Sequence, residues 1–252
     1  MTAEVSEWKG LLEQGQMEDC HFTCGQTPPT EADTLSKSVI RRQILARRDQ
    51  LEPKIKTCYD REIRKRVFGH PAYQKTQIVL AYASYRSEVA TTELIRQALA
   101  DGKYVFVPKV VGEEMEFWQI MSLEDLCSGY KGIPEPRTDI SFPKWIEKQG
   151  IWTHTVQENI PEQQRTLCQA MMWMPGAVFD RKKHRIGYGK GFYDRYLARW
   201  FHRAKLFSGE NGEEVSLTIM ALAYSCQVVS QLPYEGHDIL PDLVITETEI
   251  LT

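Results

Sequence analysis

The sequence predicts an α/β fold, a three-layer sandwich with a mostly parallel central sheet flanked by helices on both faces. Short, wholly apolar segments, among them Ile78-Val79-Leu80-Ala81 and Ala170 to Trp173, read as strands buried on two sides. These segments alternate with stretches of helical period along the chain, the pattern of a layered sheet. No repeat, low-complexity tract or linker divides residues 35–252, so they are expected to form one domain, with residues 1–34 as an N-terminal extension of unassigned role.

The bulk numbers agree. A chain of 252 residues can bury roughly three quarters of its unfolded surface, so core size is no limitation. Hydrophobic residues at 42% and charged residues at 26% are ordinary for globular proteins. No apolar run approaches the ~18 residues of a membrane-spanning helix. A net charge of −3 offers no global attraction to nucleic acid or anionic membranes, so an anionic ligand must be caught locally. The N-terminus lacks a basic flank followed by an apolar stretch, and cytoplasmic residence is expected. Six scattered cysteines (20, 24, 58, 127, 168 and 226) are expected as free thiols, since Cys20 and Cys24 have no second cluster to complete a metal site.

The elements follow in order. Leu35, Val39, Ile40, Ile44 and Leu51 recur near helical spacing, with Thr34 or Ser36 available as a cap. Lys37 and Arg41, four apart, project side by side from this helix. A second helix is expected over 54–67, a break at Pro71 and a first strand over 77–82. Thr91 is placed to cap a helix over 92–100 that stops at Asp101-Gly102. Strands are expected over 103–107 and 115–120, and Pro134, Pro136 and Pro143 enforce a loop. Residues 145–168 have no clean period. After the strand at 170–173 comes a glycine loop, then a helix over about 191–203, a polar crossing at 208–215, and strands over 218–224 and 243–246.

The glycine loop carries the chemistry. In Arg185-Ile186-Gly187-Tyr188-Gly189-Lys190-Gly191-Phe192-Tyr193-Asp194-Arg195, alternate glycines let successive N–H groups converge on an anion, and Arg185 and Lys190 supply matching charge. The spacing fits neither the dinucleotide fingerprint nor the Walker loop. Phosphate commonly travels with Mg²⁺, which needs carboxylates as well as phosphate oxygens. Asp194 at the loop's end, and Asp238 and Asp242 around Ile239-Leu240-Pro241, are candidates, with helix or loop capping as the alternative for each. Tyr193 suits either the core or stacking on a flat heterocycle. Glu88, directly after the first strand, stands where ligands of such sheets gather.

Taken in order, Lys37-x-x-x-Arg41, Glu88-Val89-Ala90-Thr91, Gly132-Ile133-Pro134-Glu135-Pro136, Pro175-Gly176, Phe179-Asp180 and the 185–195 loop resemble the 5-formyltetrahydrofolate cyclo-ligase (5,10-methenyltetrahydrofolate synthetase) family. The resemblance spans roughly 35–250. It implies an ATP-dependent ring closure of 5-formyltetrahydrofolate to 5,10-methenyltetrahydrofolate, with ATP as co-substrate and Mg²⁺ as cofactor. It further implies that Lys37, Arg41, Arg185, Ile186, Gly187, Tyr188, Gly189, Lys190, Gly191, Phe192 and Tyr193 hold ATP. Lys37, Arg185 and Tyr193 would take part in catalysis, and Asp194 and Asp238 would hold the metal. Glu88, Tyr193, Tyr130, Met115 and Phe117 would meet a reduced folate, polyglutamylated or not. No nucleic-acid or membrane partner is implied, and a monomer or weak homodimer is expected. The chain departs from the family at Lys183, where a glycine is common; the change alters a turn or adds a cation near ATP. Two alternatives stand beside this reading: a nucleotide- or folate-binding member without catalysis, and an isomerase or acyl-transferase relative that shares only the architecture.

Overall fold

The computed structural model describes residues 36–137, 147–148, 151–152, 169–207, 216–235 and 238–252. Helix α1 runs Lys37–Asp49 and α2 runs Pro53–Gly69, with proline at the N-terminal position where its missing N–H costs nothing. A single turn, Pro71–Lys75, leads into β1, Ile78–Leu80. Helix α3 (Thr92–Ala100) then crosses to β2 (Tyr104–Val111), which turns back as β3 (Glu114–Ile120). A small ribbon of β4 (Leu126–Ser128) and β5 (Pro134–Pro136) follows, then β6 (Glu147–Lys148) and β7 (Ile151–Trp152). Strands β8 (Gln169–Met174), β9 (Val178–Asp180) and β10 (Arg185–Ile186) precede α4, Phe192–Phe207. The chain closes with β11 (Ser216–Leu222), β12 (Val228–Val229), β13 (Leu243–Ile245) and β14 (Ile250–Leu251).

Seven strands form the main sheet in the order β14-β13-β11-β8-β1-β2-β3. The five central strands pair in parallel, and an antiparallel strand finishes each edge. In the centre Leu80 stands opposite Met172 on one side and Phe106 on the other. Side chains alternate between faces. Val79, Val105, Met171, Trp173 and Met220 pack with Ile63 and Val67 of α2 and Leu94 and Ile95 of α3. Ile78, Leu80, Phe106, Met172 and Ile219 pack with Tyr196, Leu197 and Trp200 of α4. Helices on both faces bury both sides of each central strand, which is why those strands carry no polar alternation.

From β1 the chain steps one way, to β2 and β3; from β8 it steps the other way, to β11 and β13. The boundary between β1 and β8 is the switch point of the sheet, where the segments leaving adjacent parallel strands diverge and leave a crevice.

Several expectations need correction. The hydroxyl of Ser36 makes no capping bond and pairs instead with that of Ser38 at 2.8 Å. Thr91 precedes α3, but its hydroxyl donates to the carbonyl of Tyr82 (2.7 Å) and accepts from the Ser84 amide (2.9 Å). It closes the loop after β1 rather than capping the helix. Pro134 and Pro136 lie in a strand, tolerated because only the short ribbon partner β4 pairs with it. Lys183 keeps the turn at φ 69° without glycine, and its ammonium donates to the carbonyl of Asp242 at 2.8 Å. Cys58, Cys127 and Cys226 are free, and burial pushes the Cys226 thiol up to about 11. Cys20, Cys24 and Cys168, Pro143, the 1–34 extension and the 208–215 crossing lie outside the described residues. Among the described residues no helix is long and apolar enough to cross a membrane.

Candidate active site

A cavity of about 570 Å³ occupies the crevice. Its wall is built from the segment after β1 (Tyr82 to Glu88), the segment after β8 (Pro175 and the 185–194 loop), one face of α1, and the β2–β3 and β4–β5 ribbons. Lys37, Arg41, Leu45 and Arg48 all face it, at spacings of four, four and three that keep them on one stripe of α1. The adjoining edge of the same helix buries Ile44, with Ile40 beside it, against Ala177, Val178, Ile186 and Leu232. One amphipathic helix therefore anchors itself in the core and delivers three cations to the site.

The glycine loop is held open by those cations and their neighbours. The Nε of Arg41 donates to the carbonyl of Gly187 at 2.7 Å. At Gly189, φ is 90°, and an added Cβ would stand 3.2 Å from the Arg41 guanidinium. Only glycine combines that backbone with so close an approach. At the far end Arg195 donates to the carbonyls of Lys190 and Glu113, both at 2.7 Å, tying the loop to the β2–β3 turn.

Carboxylates occupy this cradle in pairs with cations. Arg185 donates to Asp194 at 2.5 Å and is largely buried, yet its Nε has no hydrogen-bond partner among the described residues. Lys37 reaches Asp238 and Glu235, each at 3.0 Å. Burial works against the Lys37 charge, but the hydrogen bonds it donates to Glu235 and Asp238, and their charges, outweigh it and raise its pKa. Asp242, by contrast, accepts from the Ile219 amide at 2.7 Å and serves the sheet. Among the described residues no three His, Cys, Asp or Glu side chains gather as a metal cage. The cavity therefore offers Asp194 and Asp238 as separate oxygen donors. The unpaired Arg185 Nε and the glycine cradle fit a phosphate chain, whose oxygens and waters would complete a magnesium shell.

The other side of the cavity is flat, aromatic and acidic. Glu88 accepts from the Tyr85 amide at 2.8 Å. Burial raises its pKa, against the pull of the Tyr188 hydroxyl, the Tyr85 amide and the charges of Arg48 and Lys56. Tyr193 has its pKa raised by burial, with Glu88 adding to the effect. Met115 and Tyr130 also border the cavity, and Tyr130 meets Phe192 edge-on at 6.4 Å. Phe117 does not. It is fully buried, with its ring 4.9 Å from that of Tyr196 beneath α4: it shares a face of β3 with Met115, but lies two residues further along the strand, where α4 covers the sheet.

Apart from Phe117 and Asp242, the candidate site residues read from the sequence border this one cavity: Lys37, Arg41, Glu88, Met115, Tyr130, Arg185, Ile186, Gly187, Tyr188, Gly189, Lys190, Gly191, Phe192, Tyr193, Asp194 and Asp238. Sequence reading missed Arg48. Its spacing of seven from Arg41 placed it on the same helical stripe and was the signal available.

Comparison with known proteins places the chain in a family. The chain is 27% identical over 226 residues to the mitochondrial 5-formyltetrahydrofolate cyclo-ligase of Arabidopsis thaliana, covering 85% of this chain and 75% of that protein. It is 24% identical over 210 residues to the Escherichia coli (strain K12) 5-formyltetrahydrofolate cyclo-ligase, covering 82% and 98%. The solved structure of Aquifex aeolicus 5,10-methenyltetrahydrofolate synthetase superposes with a TM-score of 0.63 at 25% identity, covering 86% of this chain and 92% of that one. Residues 33–247 match the model of one family, from before α1 through β13, and the chain belongs to the 5-formyltetrahydrofolate cyclo-ligase family.

Proposed function

We propose that this chain uses MgATP to close 5-formyltetrahydrofolate to 5,10-methenyltetrahydrofolate, releasing ADP and phosphate. One observation carries the reading: a cationic glycine cradle and a buried acid among aromatic rings share a single cavity, so a nucleotide and a flat heterocycle can meet within it. The formyl group on N5 is an amide and a poor electrophile. Its oxygen attacks the γ-phosphorus, the bond to the ADP oxygen breaks, N10 then adds to the activated carbon, its proton passes to solvent, and the C–O bond breaks to release phosphate. The protein's part is positioning and charge neutralisation, as in other phosphoryl transfers.

Lys37, Arg41, Arg185 and the amides of 187–191 would hold the phosphates, and Asp194 and Asp238 would hold magnesium, which when bound neutralises phosphate charge. Glu88 would accept from the heterocycle's N–H groups, and Tyr193 would cover its face. No protein nucleophile is needed, since N10 attacks. Purified protein with MgATP and 5-formyltetrahydrofolate is expected to produce the methenyl chromophore; no product at any magnesium concentration overturns the proposal. Arg185→Ala and Asp194→Ala are expected to lose about 100-fold or more in turnover while keeping a cooperative melt, as removal of a charged transition-state contact does elsewhere.

A further inference from the structure

Arg48 is 4% exposed, and a guanidinium so placed ordinarily faces a carboxylate. Here it does not. Its Nε donates to the Ser87 hydroxyl at 3.0 Å and its Nη1 to the Tyr188 hydroxyl at 2.7 Å, and among the described residues no carboxylate lies within ion-pairing distance. Among those residues its Nη2 makes no hydrogen bond, and Arg48 borders the cavity. The guanidinium is also rigid: Ser87 is in turn held by Asp49, and the Tyr188 ring lies 5.8 Å from the guanidinium carbon. A buried cation fixed on two sides with a spare donor at the cavity is arranged for an acceptor that arrives with a ligand.

Glu88 follows Ser87 directly, and the Tyr188 hydroxyl lies beside both side chains. A fixed donor and a buried acceptor thus stand side by side. Resting on the folate reading above, we infer that Arg48 is a specificity-determining residue: its Nη2 donates to the 4-oxo group of the pterin while Glu88 accepts from the neighbouring ring N–H. A 4-amino heterocycle would set a donor against Arg48 and remove the N–H that Glu88 accepts. Sites built on such contacts discriminate strongly, because the mismatched ligand leaves buried polar groups unpaired.

The test titrates the full chain with 5-formyltetrahydrofolate and with its 4-amino counterpart by calorimetry, and measures methenyl formation in parallel. The wild type is expected to bind the 4-oxo compound at least about 30-fold more tightly, and Arg48→Met to compress that ratio below about fivefold by weakening the 4-oxo compound, with the KM for MgATP within about threefold. A residue with a merely structural role would weaken both heterocycles alike. Equal binding of the two by the wild type overturns the inference without any variant, as does an unchanged ratio in Arg48→Met. Should Arg48→Met lose its cooperative melt, Arg48→Lys and Arg48→Gln decide by the same ratio. A wild type that forms product yet does not discriminate sinks this inference alone; one that neither binds folate nor forms product sinks the proposed function with it.

Discussion

Burial holds the Glu88 carboxyl above its ordinary pKa, although Tyr188, the Tyr85 amide, Arg48 and Lys56 pull the other way. Two consequences have opposite signs. Because the folded pKa exceeds the unfolded one, the native state binds more protons between them, so this group's contribution to stability falls as pH rises through that window. Activity should rise through the same window, since only the carboxylate accepts from a heterocycle's N–H groups. Glu88→Gln is therefore expected to lose the acidic limb of the kcat/KM profile together with most turnover, and to melt no lower than wild type at pH 8. A lower melting temperature at that pH would mean that the ionised form is favoured in the fold. Arg185 shows why single residues were partly legible. Its motif position marked it as a phosphate ligand, but its unpaired Nε is a property of packing that no spacing reveals.

Between residues and fold lies the turn from β8 to β9, which begins with Pro175-Gly176 at the cavity wall. A Cβ on Gly176 would lie 2.3 Å from the ring of Phe179, which is itself fully buried and cannot yield cheaply. Gly176→Ala is expected to cost about 1–3 kcal/mol, read as a fall of several degrees in melting temperature. An unchanged melt would mean that the ring has room to rotate. At this scale the sequence was read well wherever one period dominated. The helices at 37–49 and 92–100 and the strands at 78–80 and 169–174 lay where apolar spacing put them. It was read poorly where tertiary contacts decide. Thr91 looked like a helix cap, but Tyr82 and Ser84, brought near by the loop, claim its hydroxyl. Pro134 and Pro136 looked like loop formers, yet an edge position lets a proline strand pair. Phe117 shares its strand face with Met115, which borders the cavity; the sequence shows that face but not how far along it α4 covers the sheet.

Across the whole molecule, residues 35–252 cluster as one unit and residues 1–34 as another. Removing 1–34, which leaves Ser36 and α1 intact, is expected to leave turnover within about twofold, since every residue assigned to nucleotide, metal or folate lies between Lys37 and Asp238. A loss of tenfold or more would assign the extension a role in the site. The sheet order explains why distant motifs converge. Glu88 and Arg185 are far apart in sequence, but they leave neighbouring parallel strands β1 and β8 on the same side of the switch point. Motif order suggested that convergence, and only the strand pairing accounts for it.

The ion pairs Lys37 to Asp238 and Arg185 to Asp194 mean that the cavity carries its own counterions. On the proposed reading, phosphates would take over the cations and magnesium the carboxylates, so one set of neutral pairs would be exchanged for another. Few ions from solution need be released. The KM for MgATP is therefore expected to change less than about threefold between 50 and 300 mM salt, whereas three bare cations meeting a polyanion would give a steep dependence. The charges that select the nucleotide thus also keep its capture indifferent to the ionic strength around it.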